Sequence, residues 1–281
     1  MSGLVGLRSD LKAVDRDRYL ASLLLPEAMQ ADIVALYLFN AELAVVRDRV
    51  REPVAGEIRL QWWREVISGE RNDEAEGHPF ARLVRDVIVR HHLPVSAFDR
   101  MLETREFELY DDPMPDKGAY EAYAGGTASA LIQLTTLILD PANSSAYAEA
   151  AGHAGVAQSV AGHLMLLPIH TARGQIFLPG DLMAATGLDR SSLLDAASHT
   201  NQRKAAISAF VSYGRDHLTQ ARSALAKCPK AGRNAFVPVA IAQSVFARAE
   251  KMSDTCFVNS PQPSLLRRQW AIWRSASRGM I

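Results

Sequence analysis

The sequence has few of the features that mark a disulfide-rich, zinc-binding or nucleic-acid-binding protein. Its two cysteines, Cys228 and Cys256, are too far apart for a Cys-x-x-Cys redox pair or a zinc knuckle, so we expect reduced thiols. The 31 basic and 31 acidic side chains cancel. No overall field therefore attracts nucleic acid, and we expect no nucleic-acid partner.

Targeting and membrane-spanning signals are also missing. The apolar runs are too short or too interrupted to cross a bilayer, which takes roughly 20 helical residues. Residues 1–15 lack the continuous apolar stretch of a secretory signal and the acid-poor composition of a transit peptide. We therefore expect a cytoplasmic protein whose contact with the inner membrane, if any, is peripheral.

Strand-type alternation of Val, Ile and Thr is almost absent, and no repeat of fixed period is visible. Ala, Leu, Arg and Glu dominate, and apolar residues recur with a helical period. We predict an all-α fold in a single domain over residues 1–281, with residues 1–16 and 275–281 as loose ends.

Pro, Gly and polar turn-forming residues divide the chain into about eight to ten predicted helices. The predicted breaks lie at residues 26, 52–56, 70–79, 93–94, 111–117, 140–145, 174–181 and 228–232. Segments 33–50, 119–139 and 146–167 are apolar on more than one face, which predicts positions in the middle of a bundle. Segment 191–225 is predicted to form an outer helix or a pair of helices.

Four stretches, in this order, resemble the squalene/phytoene synthase family. They are DRDRYLASLLLP at 15–26, ALYLF at 35–39, YAGGTAS at 123–129, and the segment from AQ at 157–158 to RGQIFLP at 173–179. The resemblance runs from about residue 17 to residue 274. It implies an isoprenoid-synthase-type helical bundle around a central apolar cavity. In this family two prenyl diphosphates are joined head to head, and carboxylates on two facing helices hold the magnesium.

Most of the carboxylates that this chemistry needs are missing. The positions that the resemblance assigns to the two aspartate motifs are occupied by Ala44, Val45, Asp48, Leu166 and His170. Glu108 stands where many relatives have an aspartate. Because one or two carboxylates cannot hold several magnesium ions, a departing diphosphate would lose its main charge stabilisation. We therefore expect no confident catalytic residue, metal site or cofactor, with Asp48, Glu108 and His170 as remnants.

The substitutions resemble one branch of the family, which contains the mitochondrial complex I assembly factor of this fold. The stretches that carry this resemblance are FNAELA at 39–44, QWW at 61–63 and PIHTAR at 168–173. It implies a non-catalytic role in assembling respiratory complex I (NADH-quinone oxidoreductase), with complex I subunits or assembly factors as partners, or a prenyl or lipid-like ligand. The alternative is an active magnesium-dependent prenyltransferase on farnesyl or geranylgeranyl diphosphate, using Asp48, Glu108 and Arg173.

Several single residues admit two interpretations. The resemblance implies that Tyr37 and Arg173 bind substrate, although Arg173 could equally form a structural salt bridge. For Asp48, we favour an ion pair with arginine over a metal site. A site shared with His163 and His170 is disfavoured because Pro168 is expected to interrupt the helix between them.

The C-terminal segment 265–274 mixes arginines and indoles with a helical period. Such a segment could contact a membrane surface or a partner protein. The favoured alternative is an amphipathic helix that packs Leu266, Trp270 and Trp273 onto the bundle.

Overall fold

The computed structural model describes residues 2–195 and 199–281, and all regular structure within them is helical. This confirms the predicted all-α class. The α-helices of the described residues are α1 (Ser2–Val14), α2 (Arg16–Ser22), α3 (Glu27–Ala44), α4 (Val46–Arg49), α5 (Pro53–Ser68), α6 (Asn72–Gly77), α7 (Pro79–Arg90), α8 (Val95–Glu106), α9 (Lys117–Ala124), α10 (Ala130–Leu139), α11 (Ala148–Ala172), α12 (Gly180–Ala185), α13 (Arg190–Leu194), α14 (Thr200–Lys227), α15 (Ala242–Met252) and α16 (Leu265–Arg278).

The predicted breaks at residues 26 and 93–94 coincide with helix ends, but the break at 52–56 overlaps the first turn of α5 and the break at 70–79 contains α6. Pro26 precedes α3, Pro94 precedes α8, and Gly69 ends α5 in the left-handed region with φ of 88°. There are more helices than the predicted eight to ten because short interruptions were not recognised. Asp15, for example, caps α2 by accepting a hydrogen bond from the Arg18 backbone nitrogen at 2.9 Å. Val45 leaves helical geometry between α3 and α4.

Two main core clusters fill the bundle. The first core cluster lies between α11, α14 and α15 and includes Val160, Phe210 and Phe246. The second surrounds α3, α5, α7 and α8, where the Phe39 ring lies 5.1 Å from the Trp63 ring in an edge-on contact. Helix α14 buries one face and exposes the other. The prediction of an outer helix or a pair of helices over 191–225 agrees with α13 and α14, while residues 196–198 lie outside the described part of the chain.

The predicted helix 119–139 is divided by a π-helical turn over Gly125–Ser129. Tyr120 and Tyr123, before the turn, belong to the first core cluster, and Leu131 and Leu134, after it, belong to the second. The stretch Lys117–Leu139 is long and apolar enough to cross a membrane, yet 61% of its most apolar window is buried, as in the core helix of a globular bundle.

The ends of the chain differ from the expected loose segments 1–16 and 275–281. Helix α1 packs on α3 and buries Leu11 completely. At the other end α16 continues to Arg278, and Arg222 Nε donates a hydrogen bond to the Ile281 backbone oxygen at 2.7 Å. Both ends follow the bundle because each has an apolar face that can be removed from water.

The favoured packing of α16 is wrong. Leu266, Trp270 and Trp273 are 77%, 61% and 53% exposed, and their face points away from the bundle. Ile272 packs inward instead, in a small cluster with Val237 and Ile241. The sequence pattern identified an amphipathic helix correctly but assigned the wrong face to the core.

Candidate functional site

A cavity of about 440 Å³ lies inside the bundle, in the lower part of the size range of about 300–1,000 Å³ that is usual for small-molecule sites. Ala44, Leu166 and His170 all line it. The positions that the resemblance assigns to the two facing motifs therefore do converge on one space. The large side chains of Met165 and Leu166 line the cavity without closing it.

The wall of the cavity combines apolar and charged side chains. Its apolar lining includes Ala128, Ala161, Met165, Phe177, Val239 and Ala242. Its charged lining includes Asp15, Asp17, Arg18, Arg105, Glu108 and Arg268. Each of the three carboxylates in this list is paired with an arginine.

Glu108 is held by two neighbours. Arg105 Nη1 lies 2.5 Å from Glu108 Oε1, and the Tyr123 hydroxyl donates to the same oxygen at 2.6 Å. Arg105 also reaches Asn40 Oδ1 at 3.3 Å, which joins α3 to the end of α8. Burial alone would lower the pKa of Arg105, but the Glu108 carboxylate raises that pKa overall. Arg105 therefore keeps its positive charge beside Glu108.

Two further ion pairs close the side of the cavity formed by α2. Asp17 is bound by Arg268 of α16, with oxygen to nitrogen distances of 2.8 and 2.6 Å. Asp15 is bound by Arg18 at 2.5 Å. The pKa of Asp17 is raised because burial penalises its charge more than Arg268 favours it. Arginines from α2, α8 and α16 thus face one cavity.

His163 and His170 contact the cavity from α11, which continues through Pro168 to Ala172. The expected interruption at Pro168 is therefore wrong, and the two ring centres are 5.7 Å apart. Burial lowers the pKa of His163 well below 6.5, helped by His170 and Arg105. Neutral His163 can then accept a hydrogen bond at Nδ1 from the Tyr120 hydroxyl, at 2.7 Å.

We expect His170 to make the stability of the protein fall below neutral pH. Burial, with the nearby charge of Arg173, lowers the pKa of His170 from 6.5 to about 4. The unfolded chain therefore takes up a proton that the folded chain refuses between those values. The contribution of neutral His170 to the free energy of unfolding is present above about pH 6.5 and is lost as the pH falls towards 4.

The measurement is urea unfolding of the wild type and His170→Gln at pH 7 and pH 5. Glutamine does not titrate, so the variant should lose about 1–2 kcal/mol less stability over this interval. Equal losses in the two proteins would contradict a neutral, partly buried His170.

Asp48 and Arg173, from the first and second motif segments, form an ion pair with each other. Both side chains are nearly half exposed and lie outside the cavity lining. Asp111 makes a second connection between the same two segments. Its carboxylate is bound by Arg47 Nη2 and by Gln175 Nε2, each at 2.6 Å. The predicted ion pair of Asp48 is confirmed, although its partner is Arg173 rather than a neighbouring arginine.

The two expected substrate-binding residues do not line the cavity. Tyr37 is 2% exposed in the second core cluster, and the guanidinium of Arg18 covers its ring at 5.8 Å. Arg173 turns away to Asp48. The sequence interpretation missed Arg18, Arg105 and Arg268 as cavity residues. Arg18 and Arg105 carried a local signal, since each lies three residues from a carboxylate, Asp15 and Glu108 respectively.

The magnesium ions that the resemblance implies do not fit the side chains at this site. Magnesium takes oxygen ligands in octahedral geometry, and Ala44, Leu166 and His170 offer none. The oxygens of Glu108 and Asp48 are bound by arginines. Within residues 2–195 and 199–281, no three His, Cys, Asp or Glu side chains come together as a metal site.

Relatives with similar sequences have been named for an assembly role. The chain is 31% identical to the rat protein "NADH dehydrogenase (ubiquinone) complex I, assembly factor 6" over 252 residues, 90% of this chain and 75% of the rat protein. It is 30% identical to the human protein of the same name, over 90% of this chain and 75% of that protein.

Solved structures share the fold at lower identity. A dehydrosqualene synthase in complex with a ligand superposes with a TM-score of 0.79 at 18% identity, covering 99% of this chain and 96% of the other. Squalene synthase HpnC from Alicyclobacillus acidocaldarius superposes with a TM-score of 0.75 at 16% identity, covering 90% and 94%. The isoprenoid-synthase-type fold is thereby confirmed. The family model for squalene/phytoene synthase matches residues 11–273, so the chain belongs to the squalene/phytoene synthase family.

Proposed function

We propose that this chain is a non-catalytic member of its family that acts in the assembly of respiratory complex I. The observation that carries the proposal is the cavity wall, where Ala44, Leu166 and His170 replace the facing carboxylates. A leaving diphosphate would meet no bound cation there, and positioned charges are usually the largest contribution to such catalysis. The names of the rat and human relatives support complex I as the assembled target.

The partners in this proposal are complex I subunits or other assembly factors, and the open cavity supports a prenyl or lipid-like ligand as well. The apolar lining suits a hydrocarbon chain, while Arg18 and Arg105 suit an acidic head group. We place this activity in the cytoplasm, which is supported by two buried free thiols, Cys228 and Cys256.

The experiment is deletion of the gene in its own organism, followed by native gels and an assay of NADH-quinone oxidoreductase. We expect less assembled complex and restoration by the wild-type chain. Asp48→Asn, which removes the one carboxylate left in the first motif, should restore assembly equally well. Normal assembly in the deletion strain would end the proposal.

The ligand in the cavity can be tested with a blocking substitution. Gly162 lines the cavity, and a Cβ added there would meet no atom within 4 Å. Gly162→Leu should therefore occupy the space of a ligand without breaking the packing. Gly152→Leu is the matched control, because Gly152 lies in the same helix with equally open surroundings and outside the cavity lining.

If the cavity holds a ligand that assembly needs, Gly162→Leu should fail to restore complex I while Gly152→Leu succeeds. Restoration by both variants would leave a protein partner as the mode of action. Loss with both variants would indicate that a leucine in this helix disturbs folding, which circular dichroism would show directly.

A second candidate function is magnesium-dependent head-to-head prenyl transfer, and the open cavity of about 440 Å³ is the observation in its favour. The test is incubation of the purified protein with farnesyl or geranylgeranyl diphosphate and Mg²⁺. Formation of the head-to-head coupled product together with pyrophosphate, both abolished by Glu108→Gln, would establish this reaction. We expect no release above the rate without protein.

A further inference from the structure

Helix α16 exposes a strip of large apolar side chains along its outer face. Leu266, Trp270 and Trp273 follow the i, i+4, i+7 spacing of one helix face and are 77%, 61% and 53% exposed. The two indole rings stack with their centres 5.1 Å apart. Exposed aromatic side chains grouped in this way mark a contact surface rather than ordinary scattered exposure.

Arginines border this strip on one side. Arg267, Arg274 and Arg278 share the neighbouring helix face and are exposed. They line a groove of about 340 Å³ together with Trp270 and Arg222 of α14. The sequence from residue 265 to residue 281 contains no acidic side chain. Among the described residues, no Asp or Glu lines this groove.

The charge in the groove is not neutralised by protein side chains. Arg222 donates from Nε to the Ile281 backbone oxygen at 2.7 Å and from Nη1 to Gln243 Oε1 at 3.2 Å. Burial, and the like charge of Arg274, lower the pKa of Arg222. Two guanidinium groups that repel each other across one groove favour a bound anion between them.

The inner face of α16 is fixed to the bundle. Ile272 is 2% exposed in the cluster with Ala21, Val237 and Ile241. Arg268 binds Asp17 of α2. The outer face therefore has a fixed orientation. Its indoles and arginines can contact one planar surface at the same time.

We propose that α16 docks this protein on a membrane containing anionic phospholipid, with Leu266, Trp270 and Trp273 in the interface and the arginine groove on a lipid phosphate. Indole rings favour the interfacial region of a bilayer, and arginine binds the lipid phosphates of the same region. An anionic bilayer offers both groups in one plane, which matches the uniform sign of charge on this face. The docking does not depend on a role in complex I assembly.

The test is flotation of the full chain with vesicles of phosphatidylcholine alone, or of equal parts of phosphatidylcholine and phosphatidylglycerol. We expect binding to the mixed vesicles, weakening as salt is added. Arg267→Gln with Arg274→Gln should reduce this binding by about 25-fold, at about fivefold for each arginine near an anionic surface. Trp270→Ala with Trp273→Ala should reduce it by about 10-fold or more.

Matched control substitutions can be made in α5 and in the residues just before it. Arg51→Gln with Arg59→Gln removes two exposed arginines elsewhere, and Val54→Ala with Ile58→Ala removes two apolar side chains that are 60% and 66% exposed. Both controls should bind as the wild type does. Sedimentation of every variant without lipid reports whether the face instead joins two copies of the chain.

Three outcomes would overturn the proposal. One is equal binding to the neutral and the anionic vesicles, and another is equal loss of binding in the controls and the α16 variants. The third is a wild-type dimer that fails to bind vesicles and becomes monomeric on Trp270→Ala with Trp273→Ala, since this face would then be an interface between copies.

Discussion

Replacing Gly155 by alanine is expected to lower the free energy of unfolding by about 3 kcal/mol. Gly155 lies where α11 crosses the π-helical turn over Gly125–Ser129. An added Cβ would lie 2.5 Å from the Ser129 backbone nitrogen and 2.7 Å from its Cα. Because these atoms belong to the main chain, they cannot move aside as a flexible side chain would, and the two helices would have to separate.

Gly152→Ala is the control for this prediction. Gly152 lies in the same helix, and a Cβ there would meet no atom within 4 Å. Alanine should therefore be neutral there or stabilise by about 0.5–1 kcal/mol through its higher helix propensity. Urea unfolding of the two variants gives the comparison. Similar stability for Gly155→Ala and Gly152→Ala would show that the helices are farther apart than described.

Replacing Arg268 by alanine is expected to cost about 3 kcal/mol. Its partner Asp17 has a side chain that is 12% exposed, and the arginine is 13% exposed. Removing the guanidinium leaves a buried carboxylate without its counter-charge. Burial already raises the pKa of Asp17, so the variant should take up a proton more readily and recover part of its stability at lower pH.

A double variant separates the value of the ion pair from the penalty of an orphaned charge. Asp17→Asn with Arg268→Gln keeps similar shapes without ionised groups and should lose less stability than Arg268→Ala alone. Arg267 is the exposed residue next to Arg268, and Arg267→Ala should change the free energy of unfolding by less than about 0.5 kcal/mol. A larger loss in the double variant than in Arg268→Ala would contradict this account.

The sequence predicted the fold well because its signals are periodic and repeated. The breaks predicted at Pro26 and Pro94 are backbone effects that need no tertiary information. The resemblance also aligned Ala44, Leu166 and His170 with the motif positions, and these residues line one cavity. Short helices such as α4 were missed because four residues carry too little pattern.

The cavity arginines and the exposed indoles were harder to predict. Arg18 and Arg268 reach the cavity from opposite ends of the chain, and only tertiary packing brings them together. Tyr37 was assigned to the substrate because it precedes a motif, yet Arg18 covers its ring. For α16, both faces of the amphipathic pattern carry apolar residues, and Ile272 displaced the larger indoles from the core.

The π-helical turn over Gly125–Ser129 lets one continuous helical stretch serve two hydrophobic cores. Its first half packs beside α11, and its second half packs on α3 and also contributes Ile132 to the first core cluster. Neither half of the molecule can therefore melt while leaving that stretch fully packed. The two halves are coupled, and we expect a single cooperative unfolding transition in which calorimetry and near-UV circular dichroism coincide.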